Sequence, residues 1–191
     1  MKDFFKKYSY TAVKLFVNQF AIALFGLGMA FVSAYSGSLK LRVGSSIGAI
    51  IFYLFLLYAH MWEVGAKDGI AASARGTSRG LWRGFLLGAI ANIPNLLLAI
   101  IITVTSVSGV AGGLGQAATA IALMLEGMYF GILSVPIGGV VLSELFVSYF
   151  LITVPAILVC GLAYIIGSYN LHVTNILIPK NKDVKNNGRP N

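Results

Sequence analysis

Four stretches of this sequence are each long and apolar enough to cross a lipid bilayer as a helix, which takes about 20 mostly apolar residues. They cover residues 15–36, 43–62, 84–106 and 145–168. Only 10% of the residues are charged and 58% are hydrophobic, whereas soluble domains carry about 25% charged residues. The sequence therefore predicts an all-α, polytopic integral membrane helical bundle.

A fifth hydrophobic segment, 117–143, is interrupted by polar and helix-breaking residues: Glu126, Pro136, Gly138 and Gly139. Basic residues concentrate on the cytoplasmic side of membrane proteins, and this rule separates two topologies. Four crossings with a cytoplasmic N-terminus leave twelve basic residues inside and two outside, but a fifth crossing makes the division eight against six. We therefore expect four full transmembrane helices, with 117–143 as a re-entrant or lateral hydrophobic segment on the outer side. The alternative is five transmembrane helices.

The expected topology divides the chain into three parts. Residues 1–14 form a basic and aromatic cytoplasmic N-terminal arm, residues 15–168 a single transmembrane domain, and residues 169–191 a basic cytoplasmic tail. We expect a multi-pass protein of the cell (plasma) membrane, with both its N-terminus and its C-terminus in the cytoplasm.

Small residues recur every four positions in the stretch 72–88, ASARGTSRGLWRGFLLG. Small residues at this spacing let two membrane helices approach closely. The spacing therefore predicts that three glycines mediate helix packing: Gly80, Gly84 and Gly88. We expect a helix from residue 79 onward, while residues 72–77 fit either a helix or a loop.

Charged residues fill the connection between the second and third spans, 63–83. Glu63 and Lys67 are four residues apart, which is a helical spacing. The second helix should therefore continue past the membrane surface and end near Gly69. Basic residues recur every four positions here, and we expect them to contact anionic lipid headgroups or a protein partner: Arg75, Arg79 and Arg83.

Polar and acidic residues inside the apolar stretches are the candidate functional residues. Pro94 lacks a backbone N–H donor and should kink the third span, and Asn92 and Asn95 flank it. A carboxyl group in lipid is costly unless it is paired, hydrated or protonated, which singles out Glu126 and Glu144. We expect these asparagines and glutamates to line a polar or ligand path. The alternatives are interhelical hydrogen bonds for the asparagines and a structural or interfacial role for the acids.

The sequence contains no motif for catalysis, metal binding or a cofactor. The two histidines lack a metal-ligand spacing, no serine lies in a nucleophile-elbow pattern, and there is no Walker motif. We expect no enzyme, no cofactor, no metal and no nucleic-acid partner. The favoured function is a small membrane component of a transport system, which contacts the bilayer and a membrane or cytosolic protein or a second copy of itself. The alternative is a non-transporting accessory or assembly protein that binds a partner through its glycine-rich helix face.

The predicted position of the C-terminus can be tested with reporter fusions. A reporter that works only in the cytoplasm should be active when it is fused to the C-terminus, and a reporter that works only outside should be inactive there. A fusion after residue 38, in the predicted outer loop, is the control and should give the opposite pattern. Activity of the outside reporter at the C-terminus would contradict four crossings and favour five.

Overall fold

Eight α-helices and one small hairpin make up the described part of the computed structural model, residues 2–108 and 113–171. The helices are α1 (Lys2–Tyr35), α2 (Leu39–Ala74), α3 (Arg83–Ala91), α4 (Ile93–Val107), α5 (Gly113–Leu125), α6 (Phe130–Leu133), α7 (Phe146–Leu151) and α8 (Val154–Ser168). The antiparallel strands are β1 (Pro136–Ile137) and β2 (Val140–Val141). Single turns of 3-10 helix cover 127–129 and 142–144. The expected basic tail lies, apart from residues 169–171, outside the described residues.

Three helical segments are long and apolar enough to cross a membrane: Phe4–Tyr35, Leu39–Ala74 and Phe146–Ser168. Two bent pairs of helices are candidates for further crossings, namely α3 with α4 and α5 with Gly127–Leu133. Large apolar side chains face outward, such as Phe31 at 67% exposed and Phe55 at 61%, as expected for a surface that contacts lipid. The prediction of an all-α, membrane-embedded helical protein is confirmed, with three to five spans in the described residues.

The second helix is longer than the sequence indicated. α2 has 36 residues and is about 54 Å long, whereas the hydrocarbon core of a bilayer is about 30 Å thick. The expectation that Gly69 ends this helix is wrong, because the helix continues through Gly69 to Ala74. Gly69 packs instead against the backbone of Ser168 in α8, where a side chain would have no room.

The contact between α2 and α8 is made by glycines on both helices. A Cβ atom on Gly65 would overlap the backbone of Tyr164, and a Cβ atom on Gly167 would overlap the backbone of Trp62. From the contact of Gly65 with Tyr164 to the contact of Gly69 with Ser168, both helices advance by four residues, so α2 and α8 run parallel. Small residues at such positions give extensive van der Waals contact, which drives helix association in lipid.

α8 also packs on α3, again through glycines. A Cβ atom on Gly84 would lie 2.8 Å from the carbonyl oxygen of Cys160, and one on Gly88 would lie 2.9 Å from the Cβ atom of Cys160. Gly161 of α8 faces the ring of Phe85 in return. Two of the three glycines expected to mediate helix packing therefore contact a helix of the same chain.

The third of these glycines, Gly80, is not on a helix. The expected helix from residue 79 begins only at Arg83, and residues 75–82 form a turn and loop. Gly76 has a φ of 62°, a left-handed conformation that glycine adopts without steric cost and that interrupts the helix. Of the two alternatives for 72–77, the chain therefore takes helix through Ala74 and loop after it.

The third span is broken at Asn92, between α3 and α4, and its two halves meet at a bend of 57°. Pro94 lies in the first turn of α4, where its missing N–H has no helical partner to lose. Inside α3, the side-chain amide of Asn92 donates to the carbonyl oxygen of Gly88 over 2.9 Å. The helix is therefore interrupted where Pro94 predicts it. Next to the break, the Asn92 side chain provides a hydrogen-bond donor for a backbone carbonyl group.

The segment 113–133 bends by 87° between α5 and the turn that begins at Gly127. At its start, Gly115 lies against the side chain of Thr105 near the end of α4. At its end, the Gly131 N–H donates to the Ser46 hydroxyl near the start of α2 over 2.9 Å. The geometry fits a broken crossing or a re-entrant segment. The hairpin that follows turns at Gly138 and Gly139, which have φ values of 61° and 87°.

Replacing Gly65 by alanine should destabilise the fold, because the added methyl group collides with the α8 backbone. Overpacking of this kind costs on the order of 1–3 kcal/mol. Gly48→Ala is the matched control, because a Cβ atom at Gly48 on the same helix meets nothing within 4 Å. Thermal unfolding of the purified protein in detergent should give a lower midpoint for the Gly65 variant alone. Equal midpoints would contradict the close contact of α2 and α8.

Candidate functional site

Glu126 is a carboxyl group buried in the middle of the bundle. It follows the last residue of α5 and precedes the turn 127–129, and only 3% of its surface is exposed. The Nε2 atom of Gln19, which is also buried on α1, donates to its Oε1 atom over 3.1 Å. The turn approaches α1 closely because both sides carry glycine: a Cβ atom on Gly26 would lie 2.5 Å from the Cα atom of Met128.

Two buried tyrosines complete the surroundings of this carboxyl group. The backbone N–H of Tyr129 in the turn donates to the carbonyl oxygen of Glu126 over 2.8 Å. Tyr53 of α2 is buried and close enough to Glu126 for their charges to interact. The hydroxyl oxygen of Tyr129 is buried and has no hydrogen-bond partner in the described part of the chain. We call the group of Gln19, Tyr53, Glu126 and Tyr129 the mid-bundle cluster. It combines one ionisable carboxyl group with an amide and two phenol groups. A carboxyl group with such polar neighbours can bind a proton or a cation.

Asn92 and Asn95 form a second buried polar pair, at the break between α3 and α4. The Nδ2 atom of Asn95 donates to Oδ1 of Asn92 over 3.2 Å. The Oδ1 atom of Asn95 is buried without a partner among the described residues. Their described hydrogen bonds stay within the α3–α4 break, and none reaches Glu126. An unpartnered amide oxygen is an acceptor that a water molecule, a proton donor or a cation can use.

The remaining acid of the expected path lies elsewhere. Glu144 ends the 3-10 turn after the hairpin and is exposed. Nearby, the hydroxyl of Tyr149 donates to the carbonyl oxygen of Ser143 over 3.0 Å, which holds the turn against α7. The structure therefore buries Asn92, Asn95 and Glu126, whereas Glu144 is on the surface.

A second cluster, which the sequence did not reveal, joins four helices at one end of the bundle. Asp68 of α2 accepts hydrogen bonds from Lys7 over 2.5 Å, from Tyr8, and from Tyr164 of α8 over 2.7 Å. The guanidinium group of Arg83, the first residue of α3, donates to the Tyr8 hydroxyl over 3.4 Å. We call these five residues the surface cluster. Its members are up to 157 positions apart, as between Lys7 and Tyr164, so no local pattern marks them.

The three arginines expected to contact lipid or a partner have different surroundings. Arg83 belongs to the surface cluster, and Arg75 follows the last residue of α2. Arg79 lies over the ring of Tyr169, 4.6 Å from its centroid, and donates to the hydroxyl of Ser73. The regular spacing in the sequence therefore does not produce one basic helix face, because the intervening residues form a loop.

The fold and the two clusters define the class of protein: an all-α membrane protein with polar groups buried between its helices. Within residues 2–108 and 113–171, no three His, Cys, Asp or Glu side chains gather as a metal site would require. Comparison of the chain with protein-family models, with curated proteins and with solved structures gave no match. The chemistry of its own residues is therefore the basis for inferring what it does.

Replacing Asp68 by alanine should loosen the end of the bundle, because it leaves Lys7, Tyr8 and Tyr164 without their shared acceptor. Hydrogen bonds to a charged group contribute about 1.5–3 kcal/mol each when buried, and the Asp68 side chain is 10% exposed. Glu63→Ala is the control, because its pair with Lys67 on the same helix is exposed to solvent, and ion pairs in water contribute little to stability. Unfolding in detergent should show a loss of at least about 2 kcal/mol for the Asp68 variant, the contribution of a single such hydrogen bond, and little change for the Glu63 variant. Similar losses for both variants would contradict a structural role for the surface cluster.

Proposed function

We propose that this protein is a membrane component of a transport system, without enzymatic activity, and that Glu126 binds and releases a proton or a cation during transport. The observation that carries the proposal is the burial of a carboxyl group at a helix break in the middle of the bundle. Intramembrane carboxyl groups are costly, and broken membrane helices commonly line the binding sites of transporters.

The proposed topology is four crossings of the plasma membrane, with both termini in the cytoplasm and 113–133 re-entrant from the outer side. The surface cluster supports it, because the start of α1, the last turns of α2, the start of α3 and the last turns of α8 meet there. α1, α2, α3 with α4, and α7 with α8 would then each cross once. The contacts of Gly115 with the end of α4 and of Gly131 with the start of α2 support entry and exit at the opposite end.

The asparagine pair fits the same path. α4 and α5 run in opposite directions from the contact of Thr105 with Gly115. Ten residues back along α4 and ten forward along α5 reach Asn95 and Leu125, so Asn95 and Glu126 would lie at a similar depth in the bundle. The unpartnered oxygen atoms of Asn95 and Tyr129 would then accompany the carboxyl group as further ligands for a transported ion or for water.

The accessory-protein alternative has to use a different face from the one that the sequence indicated. Gly84 and Gly88 are covered by α8 of the same chain, so they are not available to a partner. Gly44 and Gly48 near the start of α2 have the same spacing and open space around them. If the protein serves assembly alone, Gly48→Leu should abolish association with the partner, while substitution of Glu126 should have little effect.

The proposal is tested by proton flux into proteoliposomes that contain a pH-sensitive dye, driven by a potassium diffusion potential. The wild-type protein should conduct protons, and Glu126→Gln should reduce the flux at least about tenfold, because the glutamine amide does not titrate and so cannot take up and release a proton. Glu144→Gln is the matched control and should retain the flux, since Glu144 is exposed. The same flux measurement with sodium and potassium gradients tests whether the protein transports one of these cations instead of a proton.

Two outcomes would contradict the proposal. One is wild-type flux of protons, sodium and potassium that does not exceed the leak of empty liposomes. The other is an equal flux for the wild-type protein and the Glu126 variant. Retention of the folded state by the Glu126 variant is checked by its elution as a single species in detergent and by its unfolding midpoint.

A further inference from the structure

A cavity of about 400 Å³ opens beside the surface cluster, between the N-terminal turns of α1, the end of α2 and the loop 75–82. One part of its lining is basic and the other is apolar. The basic part contains Lys7, Arg75 and Arg83, and the apolar part contains Phe4, Trp82 and Leu86. The cavity therefore has the mixed lining of a site for a ligand with a charged head and an apolar tail.

The charge of the cavity favours an anion. Three cationic side chains line it, against one carboxylate, Asp68. That carboxylate already accepts from Lys7, Tyr8 and Tyr164. Arg75 and Arg83 therefore have no carboxylate partner in the described part of the chain. Guanidinium groups bind phosphate oxygens with paired hydrogen bonds, which makes phosphate the best-matched anion.

The apolar part of the lining lies where an acyl chain would leave the headgroup. The rings of Phe4 and Trp82 are stacked, with centroids 6.2 Å apart and planes 13° apart. Trp82 is 62% exposed, and tryptophan is enriched at the level of lipid headgroups. Leu86 lies one turn into α3, on the side of the cavity where the chain enters the apolar span.

We propose that this cavity is a binding site for an anionic phospholipid, with its phosphate between Arg75 and Arg83 and its first acyl carbons against Phe4 and Trp82. The site is independent of the proposed transport function, since it uses none of the mid-bundle cluster. The proposal assigns different roles to the three regularly spaced arginines. Arg75 and Arg83 line the cavity, whereas Arg79 lies outside it, over the ring of Tyr169.

The test uses the fluorescence of Trp82 in the full-length protein in detergent. The chain has two tryptophans, so Trp62→Phe leaves Trp82 as the sole reporter. The probes are dihexanoyl phosphatidylglycerol, dihexanoyl phosphatidylcholine and inorganic phosphate. We expect saturable binding of phosphatidylglycerol, weaker binding of phosphatidylcholine, whose headgroup is neutral overall, and weaker binding of inorganic phosphate, which lacks the apolar part.

Arginine variants in the same background locate the site. Arg75→Ala and Arg83→Ala should each weaken phosphatidylglycerol binding about fivefold, the equivalent of about 1 kcal/mol for one basic residue at a lipid headgroup. Arg79→Ala is the matched control and should leave the affinity unchanged. Because Arg83 also bonds to Tyr8, the exposed Arg75 provides the variant that leaves the surface cluster intact.

Native mass spectrometry of the protein with both tryptophans gives a second readout, which does not depend on the Trp62 substitution. The bound fraction of phosphatidylglycerol should be equal for the wild-type and Arg79 proteins and clearly lower for the Arg75 protein. Equal affinity for phosphatidylcholine and phosphatidylglycerol would overturn the proposal, as would equal losses in all three arginine variants. Binding of inorganic phosphate as tight as that of the lipid would also overturn it, and would assign the cavity to a soluble phosphate compound.

Discussion

Close backbone contact between α8 and its two neighbours is the constraint on which the rest of this structure depends. Lipid gives apolar helices no hydrophobic reason to associate, so van der Waals contact must hold them together. Glycines of α2, of α3 and of α8 itself supply that contact: Gly65, Gly69, Gly84, Gly88, Gly161 and Gly167. Because these six glycines contact helices of the same chain, Gly84 and Gly88 do not present a free face to a partner.

The position of α8 fixes the two polar clusters. Because α8 is parallel to α2 and antiparallel to α3, the Tyr164 hydroxyl reaches Asp68 at the end where α3 begins. The N-terminal turns of α1 are then held there by Lys7 and Tyr8. Deeper in the bundle, the 127–129 turn packs against α1 and α2. Gln19 of α1 donates a hydrogen bond to Glu126 there, and Tyr53 of α2 lies nearby.

Much of the fold could be predicted from the sequence because lipid imposes strict rules on length and polarity. The apolar runs predicted the helices, and Pro94 predicted the break between α3 and α4. The polar and helix-breaking residues within 117–143 indicated that this segment does not form one straight helix, and it is bent in the structure. The errors arose where local pattern and tertiary contact compete. Gly69 is typical of a helix end, yet it lies within α2 because α8 packs on it, and the regular arginine spacing continues through residues that form a loop.

The sequence by itself determined that this is a helical membrane protein with acids at positions 126 and 144 in its apolar segments and polar side chains beside Pro94. That Glu126 is buried and Glu144 exposed came from the tertiary structure. Only the tertiary structure decided which partners those groups have. Asp68, Tyr8 and Tyr164 are separated by 60 and 96 positions, and Gln19 is 107 positions from Glu126. Hydrogen bonds over such separations depend on how helices pack in space. The periodicity of a sequence reports which face of each helix is small or apolar, but it does not specify which other helix that face meets.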